Sequence, residues 1–210
     1  MVTSLHLAHL ERESALRFLQ RRLSADGLAY SEALTLAPLS PRVLPAPRLG
    51  AVGLIATWRV AGALEAFQAG HPVAASLAEG YFARLEPIRA VGAWPEMGEL
   101  PAADPRHTDA PVAVLTLGRL RLHRAIGFLR ASAAAERAVL QSPALVLGTA
   151  MARPPGLVCT FSVWNDVNAM RSVVVDGAHR TATHANTVKP FHHASAFIRY
   201  RILEQTGTWP

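Results

Sequence analysis

Apolar residues recur along the chain with two different periods. Short, strongly apolar runs bounded by turn residues are typical of β-strands, and apolar residues three or four positions apart are typical of amphipathic helices. Strands are predicted over 3–10, 31–39, 53–58, 111–120, 144–152 and 156–164, and helices over 13–23 and 122–140. The order of these elements in residues 1–95 returns in residues 111–210.

A direct comparison of 53–95 with 156–210 strengthens this parallel. Each stretch opens with Gly-Leu and an apolar strand that ends in tryptophan, Trp58 or Trp164, and each closes on Gly-x-Trp-Pro. Both carry an aromatic residue, a small or branched residue and an arginine near the end: Phe82, Ala83 and Arg84 in the first copy, Phe197, Ile198 and Arg199 in the second. The second copy is longer, and much of the excess is "TVKPFHH", which brings His192 and His193.

The fold predicted from this pattern is α+β. Each half reads β-α-β-β-α-β, which is the ferredoxin-like unit. Such a sheet carries its helices on one face and must cover the other, so two units in one chain are expected to pack sheet to sheet as an intramolecular α+β barrel. The predicted units are 1–95 and 111–210, joined by a proline-rich linker over 96–110. A ligand cavity is expected between sheet and helices.

Composition narrows the class of protein. Half of the 210 residues are hydrophobic and 17% are charged, as in ordered globular domains. The net charge is +6, carried by scattered arginines, and the longest basic run is "QRRL", so a nucleic-acid partner is not predicted. The single cysteine, Cys159, excludes an internal disulfide. The first residues lack the pattern of a signal peptide, and no apolar run is long enough for a membrane helix, so a soluble cytoplasmic protein is expected.

The second half resembles a known family. "TFSVW", "GAHRTA", "FIRYRI" and the closing tryptophan resemble the spheroidene monooxygenases, of the dimeric α+β-barrel superfamily, mainly over 156–210. That superfamily contains haem enzymes and cofactor-free enzymes. The resemblance implies that haem b, where present, lies under the second helix of one unit with a helix histidine on the iron. No C-x-x-C-H occurs, so covalent haem attachment is excluded.

His179 occupies the position that the resemblance gives to the iron ligand. Helical spacing places it on the face of Val167 and Met170, with the small residue Gly177 leaving room for a flat macrocycle. His184 lies about 140° around the same helix and so points elsewhere. In the first copy, His71 precedes Pro72 and is expected to mark a helix break or cap.

The other candidates surround this position. His192 and His193 follow Pro190 and alternate if extended, so one of them can enter the cavity as a distal acid–base group. Arg199 and Arg201 share one side of the last strand and would pair with a propionate, a substrate carboxylate or a protein acid. Trp164 is assigned to the cofactor pocket, with rim packing as its ordinary role. The lengthened second half is predicted to be the functional copy.

The family resemblance implies a haem-dependent monooxygenase that acts on an apolar small molecule, with an electron donor that the sequence does not name. A homodimer is allowed. Three alternatives stay open: a non-catalytic haem- or ligand-binding protein, a cofactor-free monooxygenase, and a haem dehydratase of the same superfamily.

Overall fold

The structure, a computed structural model, describes residues 1–43, 46, 48–100, 111–176 and 190–209. It also describes no side chain of residues 174–176. The first half contains β1 (Val2–His9), α1 (Arg12–Gln20), β2 (Leu28–Pro38), β3 (Ala51–Trp58), α2 (Ala61–Gly70), α3 (Pro72–Leu77) and β4 (Tyr81–Gly92). The second half contains β5 (Val112–Leu120), α4 (Ala125–Leu140), β6 (Leu145–Arg153), β7 (Leu157–Trp164), α5 (Val167–Asp176) and β8 (His192–Thr206).

The eight strands form one closed antiparallel barrel in the order β1-β3-β2-β6-β7-β5-β8-β4. The predicted α+β class is therefore confirmed. The two halves meet at two seams, where β2 pairs with β6 and β4 pairs with β8. Inside each half the pairing follows the same register: Val2 lies opposite Trp58 in the first, and Val112 opposite Trp164 in the second.

The inside of the barrel is filled by side chains. Alternate residues along each strand point inward, and they form one buried cluster that includes the aromatic rings of Tyr30, Tyr81, Phe161 and Tyr200. Trp94 and Met97 pack into the same cluster from the short 3-10 turn over Pro95–Met97. Because the lumen is packed, space for a ligand must be sought outside the barrel. The predicted unit boundaries at 95 and 111 stay predictions.

Local sequence explains where the helices begin and end. Asp166 accepts a hydrogen bond from the amide of Ala169 at 2.7 Å, so it starts α5 as an N-cap. His71 separates α2 from α3, and its Nδ1 accepts from the amide of Val73 at 3.1 Å. Pro72 occupies the first turn of α3, where its missing N–H costs nothing. The capping role predicted for His71 is thus confirmed.

Candidate functional site

The layer between helices and sheet differs between the two halves. In the first half every residue of β3 is buried. Leu64 and Phe67 of α2 pack there on Trp58, whose indole Nε1 donates to the Ser4 hydroxyl at 2.9 Å. His6 lies in the same layer between the rings of Phe67 and Phe82. A pocket of about 440 Å³ lies farther along this layer, lined by Phe18, Leu54 and Val73 together with polar residues of β2 and of the segment that follows α1.

In the second half the corresponding sheet surface is more open. Along β7 the barrel-facing residues Cys159, Phe161 and Val163 are buried, whereas the side chains between them are partly exposed. Six residues on the outward side of β5, β7 and β8 are partly exposed. Four of them carry hydroxyl groups and two are apolar: Thr116, Thr160, Ser162 and Ser195, and Val158 and Phe197. This partly exposed surface is named here the open layer.

His192 lies at one end of the open layer. Its ring packs edge-on against Phe128 of α4, with the ring centroids 5.1 Å apart, and it covers Gly118 of β5. Its Nδ1 is buried without a hydrogen-bond partner. Burial lowers the pKa of the His192 imidazole, so the ring is neutral at pH 7 and can accept a proton or bind a metal.

A β-bulge turns His192 toward the helices. Leu120 pairs with His192 and Arg119 with Ala194, which leaves His193 as the extra residue. Without the bulge, His192 would alternate with Ala194 and point into the barrel. The Arg121 guanidinium holds the bulge by donating to the His192 carbonyl at 3.2 Å.

Gly118 is expected to position the His192 ring. A Cβ at residue 118 would lie 2.5 Å from Cδ2 of His192, so Gly118→Ala must displace the imidazole. The displaced ring moves toward solvent, and we expect the pKa of His192 to rise toward its ordinary value in an NMR titration. Stability should change by less than about 1.5 kcal/mol, because the strained contact is with a movable side chain.

Gly62→Ala is the matched control, since an added Cβ there meets nothing within 4 Å. It should leave the His192 titration unchanged. An unchanged titration in Gly118→Ala would show that the two residues do not touch.

His193 lies on a different surface from His192. It is exposed and lines an open groove of about 670 Å³ at one end of the barrel, together with His123. The arginines of this groove are paired: Arg153 with Glu32 at 2.6 Å, and Arg119 with Glu96 at 2.6 Å. His192 and His193 therefore lie on different surfaces and cannot contact the same ligand position together.

The other candidate site residues that the structure describes lie in separate places. Arg199 is buried, and it points away from the barrel because its neighbours Ile198 and Tyr200 face inward. Arg201 forms an ion pair with Glu86 of β4 at 2.9 Å, the acid partner that the sequence left open. Trp164 is buried, and its Nε1 donates to Ser162 at 2.8 Å. Their assignments to catalysis and cofactor binding stay predictions.

His179, Gly177 and His184 lie outside the described residues. Their roles stay predictions. Among the residues that the structure does describe, no group of three or more His, Cys, Asp or Glu side chains could hold a metal ion. A single imidazole can still be an axial ligand of haem iron, because the macrocycle supplies the other ligands.

Sequence reasoning missed Phe128 and Gly118. The signal for Gly118 was present, since a glycine inside a strand often marks a close approach by another group. Phe128 carried no such signal, because its place in a helical repeat is typical of ordinary core packing. Cys159, interpreted as a buried structural thiol, is buried in the barrel, and burial raises its pKa.

Comparison with known proteins supports the resemblance seen in the sequence. The chain is 30% identical over 127 residues to a spheroidene monooxygenase of Rubrivivax gelatinosus, which is 60% of this chain and 48% of that protein. The chain thus spans about half the length of the curated relative it matches. No family model matches the sequence.

Solved structures with a similar backbone path were also found. A candidate monooxygenase from Fusobacterium nucleatum has a TM-score of 0.46 and 9% identity, covering 99% of this chain and 94% of its own. A ferredoxin-fold protein of Listeria monocytogenes related to antibiotic biosynthesis monooxygenases has a TM-score of 0.38 and 12% identity, covering 97% and 95%. A haem-degrading enzyme of the same species has a TM-score of 0.34 and 14% identity, covering 96% and 100%. These values are too low to carry an argument about the reaction.

Proposed function

We propose that this protein is a monooxygenase that binds haem b in the open layer of its second half and oxidises an apolar small molecule. The observation that carries the proposal is His192, a neutral imidazole with an unpartnered, buried Nδ1 at the end of a partly open sheet surface. The 30% identity to spheroidene monooxygenase over 127 residues supports the class of reaction.

The asymmetry of the two layers supports the choice of the second half. If the halves are tandem copies that replace the two subunits of a dimeric barrel, one layer is free to specialise. The shared register of Trp58 and Trp164 agrees with this interpretation. At the position of His6 in the first half, the second has Thr116, and at the position of Leu54 it has Thr160. Two outward positions that hold a histidine and a leucine in the first half thus carry hydroxyl groups in the second.

The described residues fit a flat apolar cofactor. The small side chains of β7 and β8 allow close approach to the sheet, and the rings of His192 and Phe128 bound the site at the end near Gly118. In this proposal His179 is the proximal ligand, as the resemblance implies, and His192 is the distal group. Arg199 and Arg201 lie farther along β8, where a guanidinium would neutralise a propionate or a polar substrate group.

The candidate residues have separate roles in this proposal. A bound haem would supply the oxidising chemistry that no side chain provides. His192 would act as a proton acceptor, since burial lowers its pKa and keeps the imidazole neutral at neutral pH. Phe128 and Phe191 exclude water from the ring of His192 and favour apolar substrates. His193 belongs to the groove and would act only at the entrance.

The visible spectrum of the purified protein tests the proposal. We expect a Soret band after addition of haem, saturating at one haem per chain. His192→Ala should keep the band but change its position or its pH dependence, because the distal environment changes. His123→Ala, an exposed histidine on the groove, is the matched control and should leave the spectrum as it is.

Absence of a specific Soret band in the unmodified protein would contradict haem binding. Turnover of an apolar substrate under oxygen without haem would then favour the cofactor-free monooxygenase. Binding of the substrate without turnover would favour the ligand-binding protein. Dehydration of an aldoxime by the haem-loaded protein would favour the dehydratase.

A further inference from the structure

The outer side of α4 is basic. Residues 111–135 contain four arginines and one histidine but no Asp or Glu. The first acid beyond them, Glu136, is turned toward the loop of Ser40, whose amide donates to it at 2.7 Å. Arg121 is engaged with the carbonyl of His192. Within residues 111–140, all of which the structure describes, the exposed charged side chains are all basic.

Large apolar side chains lie among these charges. Leu122 and Ile126 are 58% and 66% exposed, four residues apart at the start of the helix. Arg130 follows Ile126 by four residues, Arg137 follows Arg130 by seven, and both arginines are exposed. These spacings place all three residues on one helix face. His123 is exposed beside Leu122. We name these five residues the α4 basic face.

We propose that the α4 basic face docks on the surface of an anionic lipid bilayer. Basic side chains are attracted by anionic headgroups, and exposed leucine and isoleucine insert at the level of the acyl chains. A nucleic acid would use the arginines but would gain nothing from Leu122 and Ile126, and an acidic protein would require a larger apolar area. Among the described residues, no helix has the length and apolar character that a membrane span requires.

The position of this surface gives docking a consequence. Leu122 and His123 belong both to the α4 basic face and to the groove at the end of the barrel. Docking would therefore bring the groove against the lipid surface, with His193 at its edge. Docking on a lipid surface does not require the proposed reaction, because it depends only on exposed side chains.

Co-sedimentation of the full chain with lipid vesicles tests the proposal. We expect binding to phosphatidylcholine vesicles that contain phosphatidylglycerol, weak binding to phosphatidylcholine alone, and weaker binding as salt is raised. Arg130→Gln with Arg137→Gln should reduce the partition coefficient by roughly tenfold or more, because each arginine near the surface contributes. Leu122→Ser with Ile126→Ser should also reduce it, and should do so at high salt as well.

Arg12→Gln with Arg17→Gln on α1 is the matched control, since it removes the same charge from exposed helix positions of the first half. It should leave binding nearly unchanged. Equal losses in both double variants, or no binding to anionic vesicles, would overturn the proposal. Retention on duplex DNA without vesicle binding would overturn it in favour of a nucleic acid. All variants should titrate with haem as the unmodified protein does, which separates this test from that of the proposed function.

Discussion

Replacement of His179 by alanine is expected to abolish the Soret shift that haem produces in the unmodified protein. Loss of an outer-shell partner of a metal ligand already weakens metal binding by about 10–100-fold, and loss of the axial ligand itself should cost more. His184→Ala should keep the band, because the helical spacing predicted from the sequence would place it about 140° away from His179. A haem titration followed at the Soret maximum measures both variants.

The comparison of the two variants decides the assignment. Loss of the band only in His184→Ala would exchange their roles. Retention in both would make His192 the ligand to test next, since its Nδ1 is buried and has no partner. The pattern expected here, loss in His179→Ala alone, rests on the family resemblance of the "GAHRTA" stretch.

The second large effect is expected in the dependence of stability on pH. Burial lowers the pKa of His6 from 6.5 to about 4, because the folded layer between Phe67 and Phe82 offers the imidazolium no water. Between these two pH values the unfolded chain binds a proton that the folded chain does not. The free energy of unfolding should therefore keep its full value above pH 6.5. It should fall as the pH is lowered, and at pH 4 it should be about 3 kcal/mol below that value.

Urea unfolding at a series of pH values measures this effect in the unmodified protein and in His6→Leu. The slope between pH 6.5 and pH 4 should be smaller in His6→Leu, with a remainder from His192, whose pKa is shifted in the same direction. Phe82→Leu is the control: it contacts His6 but does not titrate, so it should lower stability at every pH and leave the slope in place. Parallel curves for His6→Leu and the unmodified protein would contradict the assignment.

The strands and helices were predictable because each has a clear period. The apolar run that ends at Trp58 and the helical repeat from Ala125 were expected within a few residues of their observed positions. The break at His71 was also predictable, because Pro72 has a specific backbone requirement. Local patterns of this kind require only neighbours in sequence.

The parts that could not be predicted depend on partners far along the chain. Nothing in the local pattern specifies that Thr35 pairs with Ala152 at the seam between the halves. The bulge at His193 is likewise invisible in the sequence, yet it alone decides that His192 faces the helices. The contact of Phe128 with His192 needs both the bulge and the position of α4. The candidate site is thus a product of long-range register, whereas its residue types could be identified beforehand.

The position of β8 between β4 and β5 also determines when the barrel can close during synthesis of the chain. This strand, the last of the barrel to leave the ribosome, completes one seam and pairs with both of its neighbours. Until it arrives, β4 and β5 each present an unpaired edge, and such edges invite pairing with other chains. A nascent chain that has produced β1–β7 is therefore an open sheet that needs protection, so the cell's demand for a holding chaperone should end when His192–Thr206 is released.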